Sequence, residues 1–505
     1  MPKNIVIFSD GTGQAGGINF DEARTNVYKL YRACRVGPDM KINPSEQIAF
    51  YDPGLGSAAD GGHFVVGWMR WLYNLASQAT GFGITKNIVD CYAAIISLYE
   101  EGDRVFLIGF SRGAYTARSV AGVMAYCGVP RQRPGGAPLL RDPKSMRQLA
   151  EHAVKDVYQF CSSYNRREIG PYRKFIMETR EKIAVQFREQ HGCSVTVDGV
   201  ERPNAFPYFI GVFDTVAALG HKFLGPALIT LGIVLLFGLH FGGKWLEPTF
   251  PWAGWLLRLL SYGGVAVTVL AVLKNYLKTA PALAGYNFFK RLATLHFTQP
   301  KHKFYDTTLS PNVGYAKHAI SIDENRADFA RVGWSPVAEK QDKRDGHGNL
   351  YFEQVWFPGV HADIGGGYLE NEARLSDVGL NWMVAGASII PDGLKHDASV
   401  LRLSPDPAGP QHNEQAGSFL KLGARQIPVD HATGVSRSPM HKSVYERFGG
   451  KTVLVYDRIA DYRPANMQVH IDFQHYFNGG IGSTPQCRAD DIEAKWEKAG
   501  YPGRL

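Results

Sequence analysis

A short glycine-flanked motif carries the clearest chemical signal in this chain. Gly109-x-Ser111-x-Gly113 follows an apolar run and precedes a helical pattern, so the serine is predicted to lie on a tight strand-to-helix turn. Glycines on both sides relieve the crowding of such a turn and let the serine hydroxyl project above the edge of a sheet. The motif therefore predicts Ser111 as a nucleophile for ester chemistry.

Asp214 and His361 are the predicted acid and base that would activate this serine. A serine hydroxyl needs a base to take its proton, and in folds with this turn the chain order is serine, acid, histidine. Asp214 ends an apolar run, and His361 lies in a Pro-Gly-Val-His turn after another. Asp363 and His441 are the competing acid and base. Asp214 could instead cap a helix, and His361 could be a structural turn residue.

Backbone N–H groups near the serine are expected to form an oxyanion hole. The first is that of Arg112, and the second should come from the glycine-rich loop after the first strand, at Gly11 or Thr12. The same loop allows an alternative, in which Asp10 is the carboxylate nucleophile of a phosphatase. That alternative would leave the motif around Ser111 without a function.

Alternating strands and helices are predicted to position these residues. Apolar runs predict strands at residues 4–9, 48–51, 104–108, 208–213, 319–322 and 353–357. Helical spacing predicts helices at residues 25–35, 84–100, 114–127 and 374–390. This order predicts an α/β fold of the α/β-hydrolase type, with a mostly parallel sheet flanked by helices.

The domain organisation follows from interruptions of this pattern. Residues 1–220 are the first part of the core, with a helical insertion at 130–205, and residues 286–390 are the second part. An apolar hairpin at residues 221–285 separates the two parts. Residues 391–505 are expected to form a C-terminal region packed on the core.

The hairpin contains two apolar runs. Residues 223–243 contain no Asp, Glu, Lys or Arg, and residues 252–273 contain only Arg258. A helix of either length spans roughly 30 Å, the thickness of a hydrocarbon core. Trp245 and Trp252 lie at the connector, as aromatic residues do at membrane interfaces. The hairpin is expected to be a membrane anchor, with a buried hairpin or an apolar lid over the active site as alternatives.

Charge and motif content exclude several other classes of protein. The net charge is +8, but the basic residues are scattered and no zinc-finger spacing accompanies them, so no nucleic-acid partner is expected. The six cysteines form no CxxC pair, and no P-loop or HExxH motif occurs, so no metal or cofactor is expected. The N-terminus lacks a signal-peptide layout, which predicts synthesis in the cytoplasm without Sec-type export.

Several longer motifs occur together in a fixed order. They are IVIFSDGTG, YDPG, GFSRGAYTAR, GVFDTVAALG, HAISIDENR and WFPGVHADIGGGY, followed by HKSVYERF and YRPANM. In these motifs the chain resembles an α/β-hydrolase family, long described as uncharacterised, that includes the first class of type VI secretion phospholipase effectors. The resemblance implies Ser111 as nucleophile, Asp214 as acid and His361 as base. It also implies phospholipase A activity against membrane lipids of rival bacteria.

The expected function is therefore that of a membrane-associated serine lipid esterase, most simply a phospholipase A that acts through an acyl-enzyme on Ser111. Its expected partners are membrane phospholipids and, from the resemblance, an immunity protein or a component of the secretion apparatus that delivers it. Two alternatives remain at this point. One is a soluble carboxylesterase whose hairpin is a lid, and the other is a non-catalytic, membrane-anchored interaction protein on a hydrolase scaffold.

Overall fold

The computed structural model describes most of the chain, and it does so in segments. They are residues 2–11, 23–54, 82–163, 170–216, 224–298, 308–326, 332–334, 340, 342–413, 425–450, 452–456, 458–478 and 487–500. Thr12, predicted to contribute to the oxyanion hole, lies outside them.

Twelve strands are present in the described residues. They are β1 Asn4–Ser9, β2 Gln47–Asp52, β3 Arg104–Phe110, β4 Ser194–Val197, β5 Val200–Pro203, β6 Pro207–Phe213, β7 Leu277–Lys278, β8 His296–Phe297, β9 Tyr315–Ser321, β10 Phe352–Phe357, β11 Val453–Val455 and β12 Arg458–Ala460. Six of them form one sheet in the order β10-β9-β6-β3-β1-β2, and every pairing in it is parallel. The expected mostly parallel sheet is confirmed.

Thirteen α-helices are present in the same residues. They are α1 Asn26–Cys34, α2 Phe82–Leu98, α3 Arg112–Cys127, α4 Pro143–Glu151, α5 Pro171–His191, α6 Leu224–Leu246, α7 Pro251–Tyr276, α8 Phe288–Ala293, α9 His361–Gly365, α10 Arg374–Ser388, α11 Lys442–Gly449, α12 His475–Asn478 and α13 Ile492–Lys498. A π-helix, His152–Val157, continues α4. Thr25 begins α1 because its side chain accepts a hydrogen bond from the N–H of Tyr28.

Alternate residues of the central strands enter two different cores, because successive side chains of a strand point to opposite faces. Ile5 of β1 and Leu107 of β3 pack beneath α2 and α3. Val6, which follows Ile5, and Phe106, which precedes Leu107, pack with α1 and α10 on the other face of the sheet. Burial on both faces explains why these strands are continuous apolar runs in the sequence.

The region predicted as a helical insertion contains more than helices. Helices α4 and α5 lie within it, and their residues Met146 and Phe187 belong to one of the two sheet cores. The region ends in the antiparallel hairpin β4–β5, which the sequence pattern did not predict. The C-terminal residues form a third core, in which Met440 and Val444 pack against Trp356 of β10.

Helices α6 and α7 pack closely against each other. Their backbones approach at Gly243 and Gly254, where an added Cβ on either glycine would lie 2.6 Å from the carbonyl oxygen of the other. Arg258, the charged residue of the second apolar run, donates to Glu247 of the connector at 2.5 Å. The Arg258 side chain therefore pairs with the connector, whereas its position near the helix end alone would suggest a side chain directed to solvent.

The outer surface of the helical hairpin is apolar and exposed. Val234, Phe237, Trp245, Trp252 and Leu270 are each more than half exposed. In the described residues one helix, Pro251–Lys274, is long and apolar enough to cross a membrane by length and composition, and Gly232–Leu246 is a shorter apolar helix. A lid packed against its own protein core would bury these side chains, so the described part of the hairpin does not have the packing of a closed lid.

Candidate active site

The sheet order brings the ends of three strands to one edge. Ser111 follows β3, Asp214 follows β6, and His361 follows β10. Strands β3 and β6 are direct neighbours, with Phe110 opposite Phe213, and β9 lies between β6 and β10. Because carboxyl ends of parallel strands meet at the same edge, the three residues lie in one region at this edge of the sheet, and all three are buried.

Ser111 has the strained backbone that the glycine-flanked turn predicts. Its φ is 58° and its ψ is −118°, a conformation that residues with a side chain rarely adopt. Gly109 packs against the backbone of Gly113, and Gly113 packs against the backbone of Ser9, so a Cβ at either glycine would collide with main-chain atoms. The turn therefore requires glycine at both positions.

His361 and Asp214 form a buried hydrogen bond. The His361 Nδ1 atom lies 2.6 Å from Asp214 Oδ2, and the side chains are 6% and 0% exposed. When the Nδ1–H is donated to the carboxylate, the Nε2 atom of the neutral imidazole is an acceptor. The His361 ring packs on Phe110, the residue before Ser111, with ring centroids 4.6 Å apart. The arrangement can orient a base next to the serine turn.

A third residue, Arg425, holds the other side of the carboxylate. Its guanidinium donates to Asp214 Oδ1 at 2.5 Å and to Oδ2 at 3.2 Å, and the Ser321 N–H also donates to Oδ1 at 3.0 Å. Burial alone would raise the pKa of Asp214, but the charge of Arg425 and the hydrogen bond with His361 hold it well below its usual range. Asp214 therefore stays ionised at neutral pH. Sequence reasoning missed Arg425, which lies 211 residues away in a loop without a motif.

The turn that carries His361 is fixed by two acidic residues at the end of β9. Glu324 accepts the His361 N–H at 3.1 Å, and Asp323 accepts the Gly359 N–H at 2.7 Å and the Tyr462 hydroxyl at 2.7 Å. Burial raises the pKa of Asp323 to about 7. The motif HAISIDENR was the sequence signal for these residues, but it did not indicate what they bind.

The competing acid and base are engaged elsewhere. His441 is buried between Ser443 Oγ at 2.8 Å and Glu493 Oε1 at 2.9 Å, and it caps α11. Asp363 accepts from the Nδ1 atom of His412 at 2.7 Å and from the Val360 N–H at 3.0 Å. These contacts hold local structure together, and the structure does not bring either residue into the Asp214–His361 pair.

Two of the predicted oxyanion donors, Arg112 and Gly11, lie at or beside the serine turn. Arg112 begins α3, and burial lowers the pKa of its side chain to about 10. A Cβ built on Gly11 would lie 3.6 Å from that of Ser111, so this loop lies in contact with the turn. The Gly11 N–H donates to Asp10 Oδ1 at 2.7 Å, and this bond must open before the group can serve an oxyanion.

Asp10 is enclosed by hydrogen-bond donors. Thr25 Oγ1 lies 2.5 Å and the Tyr51 hydroxyl 2.8 Å from its Oδ2 atom, and burial raises its pKa to about 6. A carboxylate nucleophile needs an oxygen directed at substrate, whereas here Oδ2 joins Asp10 to Thr25 and Tyr51 and Oδ1 accepts the N–H of Gly11. In the described segments no group of three or more His, Cys, Asp or Glu residues is arranged to hold a metal ion.

The fold and the site define an α/β protein with a parallel sheet and a polar candidate site at the carboxyl edge. A family model described as "T6SS, Phospholipase effector Tle1-like, catalytic domain" matches residues 3–228 and 278–386, and the chain belongs to this family of type VI secretion system proteins. The resemblance found in the sequence motifs is confirmed. The two matched segments flank residues 229–277. These residues contain most of α6, all of α7 and the first residue of β7.

Individual proteins are similar over only part of their length. An uncharacterized protein of Saccharomyces cerevisiae is 36% identical over 132 residues, which are 25% of this chain and 18% of the yeast protein. A crystal structure of an uncharacterized protein from Pseudomonas aeruginosa matches 79% of this chain and 47% of that one, with 16% identity and a TM-score of 0.32. The Tle1 effector bound to the VgrG spike of the type 6 secretion system matches 74% of this chain and 52% of its own, with 14% identity and a TM-score of 0.24. The chain thus spans about half or less of the length of these proteins.

Proposed function

We propose that this protein is a serine lipid esterase of the α/β-hydrolase type, a phospholipase A, with Ser111, His361 and Asp214 as its catalytic triad. The buried 2.6 Å contact between His361 Nδ1 and Asp214 Oδ2, at the sheet edge that carries the strained Ser111 turn, is the observation that carries the proposal. A histidine oriented by a carboxylate beside a projecting serine suits general-base activation of that serine.

The proposed reaction has two steps. His361 takes the proton of Ser111, whose oxygen attacks the ester carbonyl, and the proton is then given to the departing lysophospholipid alcohol. The acyl group remains on Ser111 until a water molecule, deprotonated by His361, releases it as a fatty acid. The N–H of Arg112 and the N-terminus of α3 stabilise the negative charge on the carbonyl oxygen in both steps.

Lipid as the substrate is supported by the family and by the surface of the hairpin. The family description names a phospholipase effector of type VI secretion. The exposed apolar faces of α6 and α7 suit insertion into a bilayer, which would keep the enzyme beside its substrate. We therefore propose membrane association through this hairpin. Delivery by type VI secretion, with a component of the secretion apparatus and an immunity protein as partners, is part of the same proposal.

The proposal is tested with a fluorophosphonate probe and with lipid substrates. The purified full chain should be labelled and should release fatty acid from mixed phospholipids, whereas Ser111→Ala should lose both properties, with a rate loss of about a thousandfold or more. Ser119→Ala is the matched control, because Ser119 is buried on the same helix. Full hydrolysis by a folded Ser111→Ala protein would refute the proposed nucleophile.

A further inference from the structure

A second exposed apolar surface lies directly after the hairpin. We call residues 277–298, which contain β7, α8 and β8, the base platform. Its exposed apolar side chains are Phe288 at 71%, Phe289 at 76%, Leu292 at 52%, Leu295 at 42% and Phe297 at 66%. Isolated exposed apolar residues are ordinary, but five within ten residues form a patch of the kind that marks an interaction surface.

The exposure of this patch is imposed by an ordered backbone. Strands β7 and β8 pair with each other, and the Tyr172 hydroxyl of α5 donates to the Leu295 carbonyl at 2.7 Å. The His296 Nε2 atom lies 2.8 Å from the Phe160 carbonyl oxygen, and Thr294 is fully buried. These contacts fix the polar side of the base platform to the protein and leave the phenylalanines outside.

The surroundings of the patch are positively charged. Lys274, Lys278, Lys290 and Arg291 lie in or beside it, and the sequence contains no Asp or Glu between Glu247 and Asp306. Lys278 and Arg291 donate to the carbonyl oxygens of Lys155 and Ala280, and the carboxylate of Asp156 lies close enough to Lys278 to offset part of its charge. Apolar side chains with adjacent cations suit the boundary between acyl chains and anionic head groups.

The patch also lies where the hairpin joins the rest of the protein. Strand β7 begins at residue 277, immediately after α7 ends at Tyr276, and the Thr298 N–H donates to the Tyr276 carbonyl at 2.8 Å. The exposed Trp245 and Trp252 mark the opposite end of the hairpin. If the hairpin inserts with its connector end leading, its base stays at the bilayer surface that faces the rest of the protein. The base platform would therefore contact that surface.

We propose that the base platform is a binding surface for anionic lipid bilayers, with the three phenylalanines in the acyl boundary and Lys274, Lys290 and Arg291 on lipid phosphates. This inference rests on the proposed function in one respect, since it places the hairpin in the same bilayer. A helical hairpin alone leaves the attached protein free to tilt, whereas a second contact beside its base fixes the orientation of the protein on the membrane.

An environment-sensitive fluorophore at position 289 tests the contact without requiring activity. Phe289→Cys is made in a Cys487→Ser full chain, because Cys487 is exposed and the other five cysteines are buried. With vesicles that contain phosphatidylglycerol, we expect brominated acyl chains to quench this label but not a label introduced by Val200→Cys on β5. The inference is overturned if position 289 stays unquenched while a label at position 260 of the hairpin is quenched. If the label at position 289 is shielded from solvent without vesicles, and more so at higher protein concentration, the surface self-associates and the inference is overturned too.

A second variant tests the consequence for hydrolysis. The Phe288→Ser, Phe289→Ser, Phe297→Ser triple variant should hydrolyse low concentrations of anionic vesicles about tenfold more slowly or worse, with short soluble esters unaffected. Its matched control is Leu140→Ser, Val200→Ser, Ile459→Ser, which removes exposed apolar side chains elsewhere. Equal rates for the two triple variants on vesicles would contradict the inference. A wild-type chain that hydrolyses neither substrate would count against the proposed function alone, since the quenching result is independent of it.

Discussion

Arg425 and Asp214 form a buried ion pair in which both terminal nitrogens of the guanidinium, Nη1 and Nη2, contact the carboxylate, at 2.5 Å and 3.2 Å. Asp214 Oδ2 is also bonded to His361 Nδ1, so the arginine and the histidine share one carboxylate. Such a pair keeps the carboxylate ionised and limits its rotation. It also reduces the negative charge that the imidazole experiences, because one carboxylate is shared between two cationic partners.

Arg425 should therefore control the pH dependence of the reaction. In Arg425→Met, loss of the positive charge raises the pKa of Asp214, so the acid limb of the kcat/KM profile should move to higher pH. Turnover should fall by about tenfold or more, and Arg425→Lys should restore part of it. Measurement of kcat/KM from pH 5 to 9 checks both effects.

The control for this variant is Arg180→Met. Arg180 is buried on α5, outside the C-terminal region, and donates to the carbonyl oxygen of Cys161 at 2.7 Å. Its loss should lower the melting temperature without moving the pH profile. An Arg425→Met protein with the wild-type profile would show that the ion pair has a purely structural role.

The acid and base can be separated from their competitors by four variants. Asp214→Asn and His361→Ala should each lose most of kcat, whereas Asp363→Asn and His441→Ala should keep a larger part of it. His441→Ala should instead lower stability by about 1–3 kcal/mol, because buried Glu493 loses its hydrogen bond with His441 and keeps only the longer contact with Lys442. Steady-state kinetics and thermal unfolding distinguish the two effects. An inactive His441→Ala together with an active His361→Ala would reverse the assignment.

The sequence could predict the parallel sheet because its strands are buried on both faces and are therefore long apolar runs. It could also place Ser111, Asp214 and His361 at one edge, since each follows such a run. Arg425 was beyond this reasoning, because it lies in a loop whose position depends on the packing of the whole C-terminal region. The β4–β5 hairpin was missed although Asp198-Gly199 between its strands is a turn signal, because the strands are only four residues long and lie in a stretch interpreted as helical.

Asp10 tests the phosphatase alternative and makes a prediction about stability. Asp10→Asn should lower ester hydrolysis by less than about tenfold, far less than Ser111→Ala, because the proposed chemistry needs no carboxylate nucleophile. Burial raises the pKa of Asp10 to about 6 in the folded protein, from 3.8. The folded state thus gains a proton first, so the contribution of this group to the free energy of unfolding rises as pH falls from about 6 to about 4.

Thermal unfolding of both proteins at pH 8 and pH 5 measures this contribution. Relative to Asp10→Asn, the wild-type protein should be more stable at pH 5 than at pH 8. A difference independent of pH would contradict the raised pKa. A folded Asp10→Asn protein as inactive as Ser111→Ala would revive the carboxylate nucleophile.

Removal of residues 223–273 should separate membrane binding from chemistry. The shortened protein should leave the membrane fraction, and its hydrolysis of bilayer lipids should fall more than its hydrolysis of short soluble esters. Flotation with vesicles and parallel assays on both substrates measure these changes. Gly254→Leu offers a full-length comparison, because a side chain there meets the backbone of Gly243 and separates the two helices. Full solubility of the intact chain without detergent would contradict the anchor.

The ion pair between Asp214 and Arg425 also has a consequence for the timing of biosynthesis. The two residues are 211 positions apart, and ribosomes add roughly 5–20 residues per second, so the arginine emerges about 10–40 s after the aspartate. During that interval the nascent chain already contains the serine turn but lacks the residue that orients the acid. A lipid-degrading enzyme built in this way would reach full activity only after Arg425 has left the ribosome, and products truncated before that residue would do little harm to the cell that makes them.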